Sequence, residues 1–526
     1  MNTFLRVFAG LVFGVLHGFD RLVFRGHLRQ MTTVQGMARY LHTNRVLYKD
    51  FADHVQRKTS QLIEASLEGA SQQKRPVIYL PSCNTSKEEE AVKIATRDGI
   101  GDGLICVFKC VEPCWTFDIH RNRARKELEL QGKMGKCLFL YHYYQHPEFG
   151  AMYGRVQTWF PFAMQIGING REWLTRQLQK EGLNYRRYDN KVTWVDDLPR
   201  AQQLLDAQLQ ENWPHRLEEI RRLIHPSHPD ILGRIPFDYY WSVFQSEWAS
   251  DFLFHRPEDV ERLHAQFVRH ALLSFRSVDV MRFLGQKIPA RGEIHGHFAG
   301  EVKTTLKRRP EGVCLRHAVN GNSIKTYSGP GFIRVETTMN HPHDFKVYRT
   351  KEGDPEGEQD WRPLRKGVAD IHRRATVCQA ANDRYAEGLA AIKDQTPLKE
   401  WTDPLCQRTL APGKNPQKRK VRALNPLSPE DAGLLEGILD PKFAVNGLRN
   451  RDLVQTLYPK PSTDLQEKRR RSARATRLIR LLRGHGLLQK TPKSHRYQLS
   501  ADARKRITAV LAARNANAET LTANAA

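Results

Sequence analysis

Three carboxylates stand where metal chemistry could be done. Asp20 opens the strand-like stretch in HGFDRLVFRG, Glu336 lies in the strand FIRVETT, and Asp370 sits in GVADIHRRA at a helix start. Hard Mg²⁺ or Mn²⁺ ions take oxygen ligands, and metal-assisted phosphodiester cleavage places such ions beside the attacking and leaving oxygens. An order of strand acid, strand acid, helix acid therefore predicts a metal site in which Asp20, Glu336 and Asp370 are both ligands and catalytic residues. The competing reading is local neutralisation: Glu336 pairs with Arg334 or Arg349, Asp20 pairs with Arg21 or Arg25, and Asp370 caps its helix.

Other residue sets point to other chemistry. On a strand, His295 and His297 would face one side and could hold a metal, while Tyr327 would supply a nucleophile. The competing reading is a surface hairpin with two exposed histidines. Glu247 and Asp251, in QSEWASDFLF, would share a helical face at i and i+4, where they could bind a cation or act in acid-base work; a solvated like-charged pair is the favoured reading. Cys106, Cys110 and Cys114 recur every four residues in apolar ICVFKCVEPCW without the spacing of a zinc knuckle, which predicts buried thiols. On a strand all three would share a face, with Cys137 a candidate partner for a metal or redox site. Arg121, Arg123, Arg125 and Lys126 precede the aromatic run YHYYQHPEFGAMYGRVQTWFPF, a mixture that stacks bases or fills a core.

The cations concentrate elsewhere. Of a net charge of +26 over 526 residues, +15 falls after Thr396, where 26 basic residues meet 11 acidic ones. Ser428-Pro429-Glu430-Asp431 is a capped helix start, a short helix follows over 451–457, and a long basic helix runs from Asp464 to Arg483 before Gly484 and Gly486. LLQK and RYQLS, separated by TPKSH, predict a hairpin, and 501–514 a closing helix. Helix, short helix, long helix and hairpin is the order of a winged helix-turn-helix, whose third helix enters a major groove. Arg470, Arg474, Arg477 and Arg480 would form its DNA-facing stripe, with Lys490, Lys493 and Arg496 on the wing. The competing reading is a solvated charge run.

LIRLLRGHGLLQKTPKSHRYQLS resembles the winged-helix domains of MarR-like transcription regulators, over less than a fifth of the chain, and the resemblance implies DNA binding. Asp20 is placed similarly to the first metal carboxylate of RNase H-like nucleases and transposases. His295, His297 and Tyr327 resemble the layout of replication initiators and relaxases that nick one strand through a phosphotyrosine, although Gly296 departs from their bulky residue. As a whole the chain resembles a family of bacterial proteins of similar length, through GFDRLVFRG, RVQTWFPFAMQIGINGREWL and NSIKTYSGPGFIRVETT. That last resemblance implies no activity.

The elements that must position these residues make a mixed α/β (α+β) N-terminal body with a helical insertion. The expected divisions are a mixed α/β domain over 1–200, a helical region over 201–285, and a β-meander plus helix over 286–395 that completes the body. A basic, proline-containing linker over 396–427, the winged helix over 428–514 and a disordered tail over 515–526 follow. The segment from Phe4 to Phe19 is short for a bilayer and is expected as buried core. Eight scattered cysteines suit a reduced, cytoplasmic protein.

These observations predict a DNA-binding, DNA-processing or mobile-element-type enzyme that uses Mg²⁺ or Mn²⁺. The alternatives are a non-catalytic winged-helix regulator, a phosphotyrosine-type nicking initiator and an RNA-binding protein. Double-stranded DNA is the expected partner, single-stranded DNA, RNA or a homodimer are candidates, and no membrane is expected.

Overall fold

The structure, a computed structural model, describes residues 3–81, 85–225, 238–286, 302–309, 312–351, 353–354, 356–393, 398–410, 420–440, 443, 447–491 and 494–515. His295, His297 and Lys493 lie outside the described residues, as does the tail after Asn515. The chain is mixed α/β, with fifteen α-helices among the described residues and none long and apolar enough to cross a membrane. It divides into two units: Met1–Phe275 with Phe283–Gln286 and Gly300–Ile392, and Arg276–Arg282 with Lys287–Ala299 and Lys393–Ala526.

The first unit is built on strands whose residues alternate between two faces. In chain order these are β1 (Val12–His27), β2 (Val77–Tyr79), β3 (Gly103–Asn122), β4 (Glu127–His146), β5 (Gly150–Gln157) and β6 (Met164–Asn169). A separate hairpin of β7 (Tyr185–Tyr188) and β8 (Lys191–Val195) follows. Then come β9 (Tyr240–Phe254), β10 (Lys303–Arg309), β11 (Gly312–Val319), β12 (Asn322–Gly329) and β13 (Phe332–Met339). Eleven of them form one sheet in the order β10-β11-β12-β13-β9-β1-β6-β5-β4-β3-β2. Neighbours run antiparallel except β2 and β3.

The apolar N-terminal segment becomes core: Phe4, Phe8, Leu16 and Phe19 are buried, the last two on β1. The stretches 104–111 and 116–119 are parts of the single strand β3. Within the region expected to be helical, β9 runs for fifteen residues. It became a strand because β1 and β13 pair along its two edges, satisfying its backbone groups on both sides.

The helix Ile371–Ala390 closes one face of this sheet. Its Gln379 accepts from the Trp248 indole at 2.7 Å, and its Asn382 amide donates to the carbonyls of Trp248 and Val335 and to Ser250 Oγ. Trp248 and Ser250 alternate with Glu247, Ala249 and Asp251 on β9. The opposite face therefore receives the acids.

The second unit has its own core, including Leu435, Leu453, Ile479, Leu482 and Ile507. It comprises the helices Pro429–Leu439, Asn450–Leu457, Leu465–Gly484 and Ala501–Asn515 and a hairpin of Leu488–Lys490 and Tyr497–Leu499. Ser428 and Asp464 cap their helices, accepting from backbone N–H groups of the first turn. Leu405 and Leu424 are buried in this same core. Parts of the stretch expected as solvated linker are therefore folded; its residues 411–419 lie outside the described ones.

Candidate metal centre

Asp20, Glu247 and Glu336 come together, each offering a carboxylate oxygen within 4.8 Å of the others. Three adjacent strands supply them. On β9 and β13 the register pairs Thr338 with Glu247, Glu336 with Ala249, and Arg334 with Asp251, so these side chains share a face. On β1 the register breaks: Phe19 pairs with Trp248 and Arg21 with Glu247, leaving Asp20 as the extra residue of a β-bulge. A bulge re-aims a side chain. Here it swings the Asp20 carboxylate toward Glu247 and Glu336.

A layer of cations holds the acids. Arg334, fully buried, donates from Nη1 to Asp20 Oδ1 at 2.7 Å and from Nη2 to Asp251 Oδ2 at 2.8 Å, while Arg171 Nη2 lies 3.0 Å from the same Asp251 oxygen. Asn190 donates to Asp20 Oδ1 at 3.3 Å, and Gln245 to Glu247 Oε1 at 2.8 Å. Lys325 Nζ lies 2.7 Å from Glu336 Oε1, and Arg334 Nη1 3.7 Å from Oε2. Glu336 Oε1 faces the Lys325 ammonium, whereas the buried Oε2 has no hydrogen-bond partner. Glu336 is thus ion-paired but incompletely satisfied, unlike Asp251.

The electrostatics separate the acids. Burial works to raise the Asp20 carboxyl, but Arg334, Arg171 and Lys191 overcome it and hold Asp20 well below the ordinary carboxylate range. Asp251 is lowered in the same way by Arg334 and Arg171 against its burial. Glu336 goes the other way: burial pushes it up to about 7, against the pull of Lys325 and with the help of Glu247 and Asp20. Burial, more than the neighbouring acids, is what disfavours its charged form.

Asp20 and Glu247 border a cleft of about 590 Å³, whose lining also holds the acids Glu88, Glu172 and Asp189 and the cations Arg21, Lys191, Lys307, Arg316 and Lys325. Part of its wall is the helix Lys87–Arg97, whose Glu88 pairs with Arg21 at 3.1 Å. Oxygen donors alone converge here, a set suited to Mg²⁺ or Mn²⁺ rather than to a soft metal.

The sequence expectations meet this geometry unevenly. Asp20 and Glu336 converge; Asp370 does not join them. Its carboxylate, at the start of the helix Ile371–Ala390, pairs with Arg365 at 2.8 Å and Arg373 at 2.6 Å. The third acid is Glu247, which had been read on a helix beside Asp251. Both lie on β9, where spacing by four also leaves them on one face, and Asp251 serves as the buried partner of two arginines. Tyr327 lines the same cleft, but its hydroxyl accepts from Arg334 at 3.2 Å and burial keeps its pKa well above the usual value, a poor state for a nucleophile. Cys106, Cys110 and Cys114 are buried on β3, and Cys114 Sγ lies 3.3 Å from Cys137 Sγ.

In the second unit Arg470 pairs with Glu467 and Arg474 with Glu430, each at 2.7 Å. Arg477 and Lys490 are exposed, and Arg496 is half-buried beside the hairpin. Arg480 lines a cleft with Arg449, Arg451, Arg483 and His495, and no acidic side chain lines it among the described residues. Sequence periodicity found Arg480 but not Arg449 or Arg451, which reach the cleft from the start of the helix Asn450–Leu457. In comparisons with known proteins, no family model, no curated protein and no solved structure matches this chain.

Proposed function

We propose that this protein is a metal-dependent enzyme of nucleic-acid phosphodiester chemistry. Asp20, Glu247 and Glu336 would hold a divalent cation, Mg²⁺ or Mn²⁺, and the C-terminal unit, read as a winged helix, would bind duplex DNA. The observation that carries this reading is the convergence of three carboxylates from β1, β9 and β13, one of them fully buried with its Oε2 lacking a hydrogen-bond partner. A cation bound there would act as a Lewis acid on a phosphoryl oxygen. The chain's own contribution is to fix the ligands: Arg334 orients Asp20, Gln245 orients Glu247, and Lys325 pairs with Glu336 at the edge of the cleft. Lys307 on β10 and Arg316 on β11 offer phosphate contacts among cations and carboxylates that are about balanced in the lining of the cleft.

A second reading rests on the ion pairs themselves. Lys325 with Glu336 and Arg334 with Asp20 would make the cluster a structural charge network inside a non-catalytic DNA-binding regulator. Calorimetric titration of the purified protein with Mn²⁺ and Mg²⁺, beside incubation with labelled single- and double-stranded DNA and RNA in Mg²⁺, Mn²⁺ or EDTA, separates the two. The enzyme reading expects cation binding and metal-dependent products. Asp20→Ala and Glu247→Ala should each weaken binding at least tenfold and abolish products. Absence of both binding and products, with duplex binding intact, would leave the regulator.

A further inference from the structure

Along β9 from Glu247 toward its N-terminal end, the acid-bearing face carries a strip that the metal reading does not use. The β1–β9 register breaks a second time there: Val23 pairs with Gln245 and Phe24 with Val243, so Phe244 is an extra residue. Its ring is 40% exposed, with the Arg25 guanidinium carbon 5.6 Å from the ring centroid. Beyond it, Tyr240 is 41% exposed, and the Arg29 guanidinium carbon lies 3.9 Å from its ring centroid.

The register places these groups together. Arg25 pairs with Ser242 and His27 with Tyr240, so Arg25 and Tyr240 point to the same face by the alternation of the strands. At ~3.3 Å per residue, Phe244 stands about 10 Å and Tyr240 about 23 Å along β9 from Glu247. Neither Arg25 nor Arg29 has an ion-paired acid among the described residues; Arg25 is lowered first by partial burial and then by the like charge of Arg155, beyond Gln165 across the sheet. Two exposed rings, each with an uncompensated guanidinium, leave both apolar surface and positive charge open to one ligand.

We propose that this strip holds a single-stranded nucleic acid leading toward the acid cluster, with bases stacked on Phe244 and Tyr240 and phosphates held by Arg25 and Arg29. Its direction toward a reacting centre rests on the metal reading. A duplex hides its base faces, whereas unpaired bases offer them, so exposed rings with adjacent cations suit a single strand and tolerate any sequence. Charge complementarity selects a polyanion over a neutral partner.

The test uses the full chain in EDTA, with excess unlabelled duplex to occupy the C-terminal unit. A fluorescent oligo(dT) of about 12 nucleotides carrying 5-iodouracil is bound, measured by anisotropy, photocrosslinked and mapped by mass spectrometry, with oligo(U) run in parallel. Crosslinks are expected at Phe244 or Tyr240. Phe244→Ala and Tyr240→Ala should each weaken strand binding about tenfold with an unchanged thermal midpoint, whereas Phe244→Trp retains it. Tighter binding of either polymer supports the strip and identifies its polynucleotide. Unchanged affinity in the double alanine variant, or crosslinks that map only elsewhere, overturns it. Strand binding that persists in Glu336→Gln and wild type without metal-dependent products would remove the metal reading and leave the strip standing.

Discussion

Glu336 concentrates the electrostatic strain of the acid cluster in one side chain, and this has a measurable sign. Its ordinary value of 4.5 rises to about 7 in the folded chain, with burial as the largest cause. Below about 4.5 folded and unfolded chains both hold the proton, so there is no differential effect. Between about 4.5 and 7 the unfolded chain has released it while the folded chain retains it, and stability falls as pH rises through that window. Above it the full cost, up to about 3 kcal/mol, is present. Glu336→Gln in EDTA is therefore expected to raise the thermal midpoint at pH 8 by several degrees and to leave it unchanged at pH 4, which paired melts would read. An equal or lower midpoint at pH 8 would instead make Glu336 a net stabilising partner of Lys325. Asp20 and Glu336 could be found in the sequence because acids inside apolar strands stand out. Asp370 misled because a helix-start acid looks the same whether it ligates or pairs, although Arg365 and Arg373 already stood within five residues of it.

The bulge at Asp20, one of three register breaks between β1 and β9, shows how an element, rather than a residue type, makes the candidate centre. With Asp20 as the extra residue, Phe19 and Arg21 pair with the consecutive residues Trp248 and Glu247. Removing Asp20 would restore a regular ladder, because Phe19 already faces Trp248 and Arg21 the cleft. Deletion of Asp20 is therefore expected to fold with a stability within about 1 kcal/mol of Asp20→Ala while losing cation binding. Deletion of Leu22, outside the bulge, slips the register and turns Val23 to Gly26 onto the wrong faces, which should cost several kcal/mol or prevent folding. Circular dichroism and thermal melts of the two deletions decide it; equal damage from both would refute the bulge. The sequence could not announce this arrangement. QSEWASDFLF places its acids four apart, which is compatible with one face of a helix or of a strand, and only pairing with β1 and β13 selects the strand. Strands bounded by close turns, such as β11 to β13, were legible because their partners lie nearby in the chain.

Across the whole molecule, legibility follows contact distance. The helices and hairpin of the C-terminal unit are local and were readable, whereas the large sheet depends on contacts such as Arg334 with Asp20, separated by 314 residues. The same locality predicts independence. Among the described residues, the buried cluster that holds the second unit together draws on residues from Leu405 to Leu511 and on none from the first unit. A fragment spanning 398–526 is therefore expected to melt cooperatively with a helical spectrum, even without Arg276–Arg282. Its excess of basic residues further predicts duplex binding whose logarithmic affinity falls linearly with logarithmic salt, by about 0.9 per phosphate neutralised. Arg480→Ala, in the acid-free cleft, should reduce that slope by about one, while Arg470→Ala, whose guanidinium is already paired with Glu467, should change it less. The complementary chain of residues 1–392 should retain Mn²⁺ binding. A fragment that stays unfolded would show that the second unit needs Arg276–Arg282 or other residues preceding 398; a folded fragment whose duplex binding ignores salt would end the winged-helix reading of this unit.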